Sequence, residues 1–323
     1  MDTSTRSIWF TCWLSCLVSL AGPGYAHASE TPRRLILEPS PSPPADAVNL
    51  DTYYGGGTYF GSHGDLVADE DWAWRWIRLP EGLIYRSYLA GTKESRFSTH
   101  IVNESDLGWI WDATLGTRVG LLRYGTADPL WPSGFQIDAE GSAQLRLDLE
   151  NQRDVVGVDF RAGVPLTFGV GRHRTKFGYY HLSSHTGDEF LLKRPGFRRL
   201  NYSRDVLVLG HSYYLNASLR LYAEAGWAFT SDVSEPWEFQ FGVDYAPLWP
   251  TGCRGAPFFA INAHLREEID FAGALTAETG WAWRSEAGRL LRAGIVYYDG
   301  KSNQFSFYND HEEQIGFGLW YDF

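Results

Sequence analysis

Strict alternation of apolar and polar residues dominates the chain from about residue 96 to its end. The stretch "WEFQFGVDY" (237–245) is the clearest case, because every odd position is large and apolar and every even position is polar or glycine. The same period of two recurs in "SLRLYAEAGWAF", "FFAINAHLRE" and "RLLRAGIVYY". A period of two is typical of a β-strand with one apolar and one polar face.

Turn residues divide this pattern into about twelve predicted strands, many longer than the five or six residues usual in globular proteins. About ten residues are needed to cross a bilayer at a tilt. The sequence therefore predicts an all-β fold, an antiparallel transmembrane β-barrel of about 12 strands of the outer-membrane type, with no helix after the N-terminal segment. A periplasmic sandwich is the alternative, because it alternates in the same way. The predicted strands lie near residues 96–103, 109–126, 135–149, 153–170, 174–187, 201–214, 217–229, 236–248, 256–267, 271–284, 288–299 and 312–323.

The two ends of the chain favour the barrel. Residues 1–28 are predicted to be a cleaved signal peptide, with Arg6, an apolar run over residues 8–22 and the small-x-small site Ala26-His27-Ala28. The last residues alternate up to Phe323, an ending that resembles the sorting signal of outer-membrane barrels. We therefore expect the cell outer membrane as the location, with the barrel-assembly machinery as a partner through Phe323. Cleavage would leave Cys253 as the one cysteine, so no internal disulfide is expected.

The sequence between the signal peptide and the barrel has another character. Residues 29–80 contain the Pro-rich "LEPSPSPPADAV" and the Gly-rich "YYGGGTYFGSHG", and are predicted to form an N-terminal arm, either a disordered tail or a docked plug. Residues 81–323 are assigned to the barrel domain. The net charge of −11 argues against a nucleic-acid partner, since phosphate binding requires a basic surface. Outer-membrane lipid is the expected partner of the barrel's outer face.

The predicted inward face carries charges of both signs. Unpaired buried charge is costly, so these side chains should pair with one another inside the barrel. Either they form a cross-linked interior, or they line a narrow polar pore; a wide channel is not expected from twelve strands. The inward set comprises Arg146, Asp148, Asp159, Arg161, Arg220, Glu224, Glu238, Asp244, His264, Glu278 and Arg292.

Several blocks of the chain together resemble a bacterial family known as domain of unknown function 1207. They are "LPEGLIYRSYLAGTKESRFST", "WDATLGTRVGLLRYGT", "YYHLSSHTGDEF", "NYSRDVLVLG" and "LRLYAEAGWAF". The resemblance covers most of the mature chain. It implies a secreted cell-envelope protein and brings no established activity, so a structural or envelope-associated role is the leading interpretation.

A local resemblance gives the alternative function. His181-Leu182-Ser183 gives a His-x-Ser pair on one predicted strand, and Asn201 begins the next. This arrangement resembles that of outer membrane phospholipase A, which has a His-x-Ser pair on one barrel strand and an Asn on the next. The resemblance implies a lipid acyl-ester hydrolase in which His181 takes the proton of Ser183 and Asn201 orients the ring. The Asn-Gly that follows the serine in that family is replaced by Ser184-His185. A narrow channel or transporter is the second alternative.

The same stretch also contains candidate metal ligands. His181 and His185 share a strand face but stand about 13 Å apart, so they cannot bind one ion without a β-bulge. Asp188 and Glu189, with His185 beside them, are the candidate binding residues of the following loop, where the acids could hold a calcium ion. No cofactor is otherwise expected. The inward positions of Lys176 and Gly178 predict that His181 and Ser183 face lipid, although the opposite parity is left open.

Overall fold

The computed structural model describes residues 73–323, and both the predicted signal peptide and residues 29–72 of the predicted arm lie outside them. Thirteen strands form one antiparallel sheet in the described residues. They are β1 (Arg75–Arg78), β2 (Phe97–Glu104), β3 (Gly108–Gly125), β4 (Gly134–Asp148), β5 (Asp154–Val170), β6 (His173–Thr186), β7 (Tyr202–Tyr214), β8 (Leu219–Ser231), β9 (Trp237–Tyr245), β10 (Ala256–Arg266), β11 (Gly273–Arg284), β12 (Leu290–Lys301) and β13 (His311–Asp322).

Strands β2 to β13 form the closed twelve-stranded barrel that the sequence predicts. Each pairs with its sequence neighbour, and β13 pairs with β2 to close the wall, with Tyr321 opposite Phe97. Closure leaves no exposed edge among these strands over their paired lengths. We call the end where β2 begins and β13 ends the lower end, and the opposite one the upper end. An even number of strands predicts that both ends of the barrel chain lie in the periplasm, and under this predicted topology the lower end faces the periplasm.

The prediction that no helix follows the N-terminal segment is wrong at one point. Helix α1 (Asp188–Lys193) lies in the upper loop between β6 and β7, with two acids in its first turn and Lys193 in its last, as the helix dipole favours. Its buried Phe190 packs against Phe307, with ring centroids 5.2 Å apart. Residues 252–254, 267–269 and 305–307 form single 3-10 turns. No helix in the described part of the chain is both long and apolar enough to cross a membrane.

The outer face of the barrel is apolar and the inner face is charged. Outward side chains such as Phe160, Leu166, Phe177, Leu209 and Ile295 are all at least a third exposed. Inward charges pair as expected: Arg146 with Asp112, Arg161 with Glu140, Arg220 with Asp244, and Arg292 with Glu278 and Asp322. The prediction that inward charges pair with one another is therefore confirmed for these residues.

The lumen also contains two pieces of chain. Residues 79–96, which we call the lumen segment, enter from the lower end before β2 begins. Twelve of these residues are buried: Pro80, Leu83, Ile84, Tyr85, Tyr88, Leu89, Ala90, Gly91, Lys93, Glu94, Ser95 and Arg96. Residues 302–310, which we call the loop insert, join β12 to β13 and bury Gln304, Phe305, Ser306 and Phe307 from the upper end.

Small inward residues make room for the lumen segment. A Cβ at Gly210 would lie 2.9 Å from the Tyr88 hydroxyl and 3.0 Å from that of Tyr85, and a Cβ at Gly120 would lie 2.8 Å from Pro80. Tyr88 stacks on the lumen residue Tyr222, with ring centroids 3.9 Å apart. The barrel wall is therefore shaped around the segment that fills it.

Candidate functional site

The predicted catalytic pair lies on the outer face of the barrel, near the upper end of β6. Along β6 the even residues are buried and the odd residues face outward, so His181 and Ser183 share the outer face. This agrees with the parity predicted from Lys176 and Gly178, both of which are buried or inward. Backbone pairing places His181 opposite Asp205 of β7 and Ser183 opposite Ser203.

His181 and Asp205 form a hydrogen-bonded pair across the two strands. The imidazole Nδ1 lies 2.9 Å from Asp205 Oδ1, and the Tyr179 hydroxyl donates to the same oxygen over 2.7 Å. The His181 side chain is 44% exposed and that of Asp205 25%. The carboxylate favours the tautomer that carries its proton on Nδ1, which leaves Nε2 directed away from the pair as a base.

Asn201 lies apart from this pair. Its Nδ2 donates to Asp232 Oδ2 over 2.7 Å, just before β7 begins. No hydrogen bond joins Ser183 to His181 within residues 73–323. The structure thus brings together His181 and Asp205, with Ser183 two residues further along the same face, and places Asn201 with another partner.

The remaining candidate binding residues lie around the start of the upper loop. His185 faces outward beside Phe160, with ring centroids 6.0 Å apart. Asp188 and Glu189 are exposed on the first turn of α1. Within the described chain, no group of three or more His, Cys, Asp or Glu side chains could hold a metal ion.

A second cluster lies in the lumen, where the two inserted pieces of chain meet at Asp159 of β5. Its carboxylate forms a salt bridge with Lys93 of the lumen segment and accepts a hydrogen bond from Ser184 of β6. The backbone N–H of Phe305, in the loop insert, donates to Asp159 Oδ2 over 3.1 Å. Asp159 is fully buried. One carboxylate therefore ties together the barrel wall and the segments that enter from both ends.

Sequence reasoning missed the partners of both clusters. Asp205 shares its outward parity with His181, and a carboxylate on an apolar barrel face was a signal for it. The role of Asp159 had no such signal, because Lys93 and Phe305 are 66 and 146 residues away from it in sequence.

The closed sheet, apolar outer face and charged, filled interior define an outer-membrane-type β-barrel. The model of the family "Protein of unknown function (DUF1207)" matches residues 63–323, and the chain belongs to this family. No curated protein matches the chain.

Solved structures with a similar fold include two phospholipases and a porin. The chain is 13% identical to outer membrane phospholipase A from Escherichia coli, covering 73% of this chain and 97% of that chain with a TM-score of 0.49. The calcium-bound outer membrane phospholipase dimer of Salmonella typhi gives 13% identity, coverage of 70% and 90%, and a TM-score of 0.48. The KdgM porin in complex with disordered oligogalacturonate gives 9% identity, coverage of 70% and 99%, and a TM-score of 0.40. Similarities at this level assign no activity to the chain.

Proposed function

We propose that this protein is a non-conducting barrel of the bacterial outer membrane. Its outer surface, and not its lumen, is then the part available for a function. The observation that carries this proposal is the meeting of the lumen segment and the loop insert at Asp159. A continuous aqueous path needs an open lumen, and here two pieces of chain and paired charges occupy it. The apolar outer face supports membrane placement, and the C-terminal Phe323 supports delivery through the barrel-assembly machinery.

The wild-type protein is therefore expected to leave a planar lipid bilayer without conductance steps. The measurement uses the purified full chain at a fixed voltage, with insertion checked by protease protection of the same preparation. An open porin reconstituted in parallel serves as the positive control. Regular conductance steps from inserted wild-type protein would contradict the proposal.

A second candidate function, hydrolysis of lipid acyl esters, is favoured by the His181–Asp205 pair. In this reaction Ser183 Oγ bonds to the ester carbonyl carbon while His181 Nε2 takes the hydroxyl proton. The ester C–O bond then breaks, and the imidazolium returns that proton to the leaving alcohol. Water hydrolyses the acyl-serine by the same base. Asp205 stabilises the imidazolium and holds the ring through Nδ1, which is the role that the phospholipase resemblance implies for Asn201.

The location supports this candidate in two ways. The pair lies near the upper end of β6, which under the predicted topology is the outer-leaflet side, and it faces outward, where a lipid ester can reach it. A missing Ser183–His181 hydrogen bond is compatible with the reaction, because such contacts are often long before substrate binds.

Ser183→Ala is expected to lower the release of fatty acid from phospholipid by at least about a thousandfold, since it removes the nucleophile. The measurement is titration of fatty acid released from mixed micelles by purified protein. Ser203→Ala, which changes the serine directly opposite, is the matched control and should keep its activity. Loss in Ser203→Ala with activity retained in Ser183→Ala would overturn the assignment, as would an inactive wild type.

A further inference from the structure

The barrel wall is incomplete at one place near the lower end. β2 begins at Phe97, which pairs with Leu115 of β3, and β3 continues as far as Gly125. The short β1 pairs with residues 122–125 of β3 on the same side. Residues 116–121 of β3 therefore lack a strand partner on the β2 side. We call this gap the notch; the lumen segment begins there, with Leu79 N–H donating to Leu121 O over 3.0 Å.

A groove of about 340 Å³ occupies the notch. Its residues come from the lumen segment, β3, the lower turn between β11 and β12, and the end of β13. Three of these residues are charged: Arg118 and Arg289 are cations and Glu81 is an anion. Arg118 pairs with Asp138, whereas neither Arg289 nor Glu81 forms an ion pair within the described residues. The groove therefore presents one cation and one anion without a charged partner, beside the buried guanidinium of Arg118.

Arg118 shows that the inner wall of the groove has unused hydrogen-bonding capacity. Its side chain is 1% exposed, and its Nε and Nη2 lie 3.1 Å and 2.7 Å from Asp138 Oδ2. Its Nη1 is buried and has no hydrogen-bond partner within residues 73–323. A buried guanidinium N–H without an acceptor costs free energy, so an acceptor supplied by a ligand would be bound favourably.

The outer rim of the groove is apolar. Leu79 is 72% exposed and Val119 is 41% exposed on the face that meets lipid. The aromatic pair Trp76 and Tyr124, with ring centroids 5.1 Å apart, lies further towards the lower end, as an interfacial girdle does. On the proposed membrane placement, the notch is therefore on the membrane side of this aromatic pair, where headgroups meet acyl chains.

We propose that the notch binds one zwitterionic glycerophospholipid of the lower leaflet. The lipid phosphate lies between Arg118 and Arg289, the ammonium group lies beside Glu81, and an acyl chain follows Val119 and Leu79. An ethanolamine headgroup carries both charges that the groove complements, whereas a glycerol headgroup carries only one. This proposal rests on the proposed placement in the outer membrane, and neither on the closed lumen nor on ester hydrolysis.

Native mass spectrometry of the full chain, released from detergent with phosphatidylethanolamine or phosphatidylglycerol added, tests the proposal. We expect one phosphatidylethanolamine to be retained per chain. Arg289→Ala and Glu81→Gln should each weaken this retention about fivefold, the effect of one lost ionic contact. Both side chains are exposed, so the barrel should fold in either variant. Arg254→Ala and Glu286→Gln, in exposed lower-end turns outside the groove, are the matched controls.

Three outcomes would overturn the proposal. Equal retention of phosphatidylethanolamine in the two variants and the two controls would show that the notch is not the binding site. Equal retention of phosphatidylglycerol would remove the requirement for a zwitterion. Equal competition by glycerophosphoethanolamine, which has the headgroup without acyl chains, would identify a site for a soluble headgroup. Because the readout is bound lipid, it is independent of the conductance and hydrolysis experiments.

Discussion

Asp159→Ala is expected to destabilise the barrel by about 3–5 kcal/mol and to open its lumen to ions. The change leaves Lys93 buried with no counter-charge, which is the costly way to break a buried ion pair. It also removes the acceptor of the Phe305 N–H, and with it the link between the lumen segment and the loop insert. The expected result is a lower denaturant midpoint, measured by tryptophan fluorescence or by gel mobility, together with conductance steps in planar bilayers.

Two further variants separate the charge from the packing. Lys93→Met alone should destabilise less than Asp159→Ala, because Ser184 and the Phe305 N–H still hydrogen-bond the carboxylate. The double variant Lys93→Met/Asp159→Leu should recover much of the stability, since an apolar pair can replace a buried ion pair. An Asp159→Ala barrel that is as stable as the wild type and gives no conductance steps would show that Asp159 does not hold the lumen closed.

The barrel itself was predictable because each strand carries its own signal. A transmembrane strand has one face towards lipid and one towards a polar interior, so alternation marks it without knowledge of its neighbours. The predicted strand at 153–170 appears as Asp154–Val170, and the one at 109–126 appears as Gly108–Gly125. The least accurate end is that of 236–248, where the strand stops at Tyr245 before Pro247. Alternation alone predicts a strand that continues until the pattern fails, whereas the backbone pairing in the structure ends earlier.

The filled lumen could not be predicted in this way. The lumen segment contains "GTKESR", which has no periodic pattern and which reads as an exposed loop. Its charges are buried because their partners are on distant strands: Arg96 lies 3.3 Å from Asp322, and Lys93 pairs with Asp159. The predicted choice between a disordered arm and a docked plug concerned residues 29–80, and only their last part, with β1 docked on β3, is within the described chain.

The candidate site depended on register, which sequence does not supply across a long loop. Residues 187–201 separate β6 from β7, so the residue opposite His181 could not be counted out along the chain. The resemblance to a phospholipase pointed to Asn201 at the start of the strand. Pairing instead places Asp205 opposite His181, four residues further along. Strand parity was thus readable from the sequence, whereas the partner of the histidine was not.

Asp205→Ala is accordingly expected to lower the rate of ester hydrolysis by about a thousandfold to ten-thousandfold, if measured as kcat on phospholipid micelles. Without the carboxylate, the His181 ring loses its preferred tautomer and its orientation, and the imidazolium formed in the transition state loses its counter-charge. KM should change little, because Asp205 supports the base and does not bind the lipid. The folded barrel should persist, since Asp205 is on the outer face and is partly exposed.

Two comparison variants show which side chain acts through His181. Asp205→Asn should be more active than Asp205→Ala, because an amide oxygen can still accept the Nδ1 hydrogen bond although it supplies no charge. Asn201→Ala should keep wild-type activity, because Asn201 bonds to Asp232 and not to the ring. The reverse order, with Asn201→Ala inactive and Asp205→Ala active, would mean that the loop rearranges on lipid binding to bring Asn201 to His181. The cross-strand pair would then be a polar contact at the membrane surface and would have no part in catalysis.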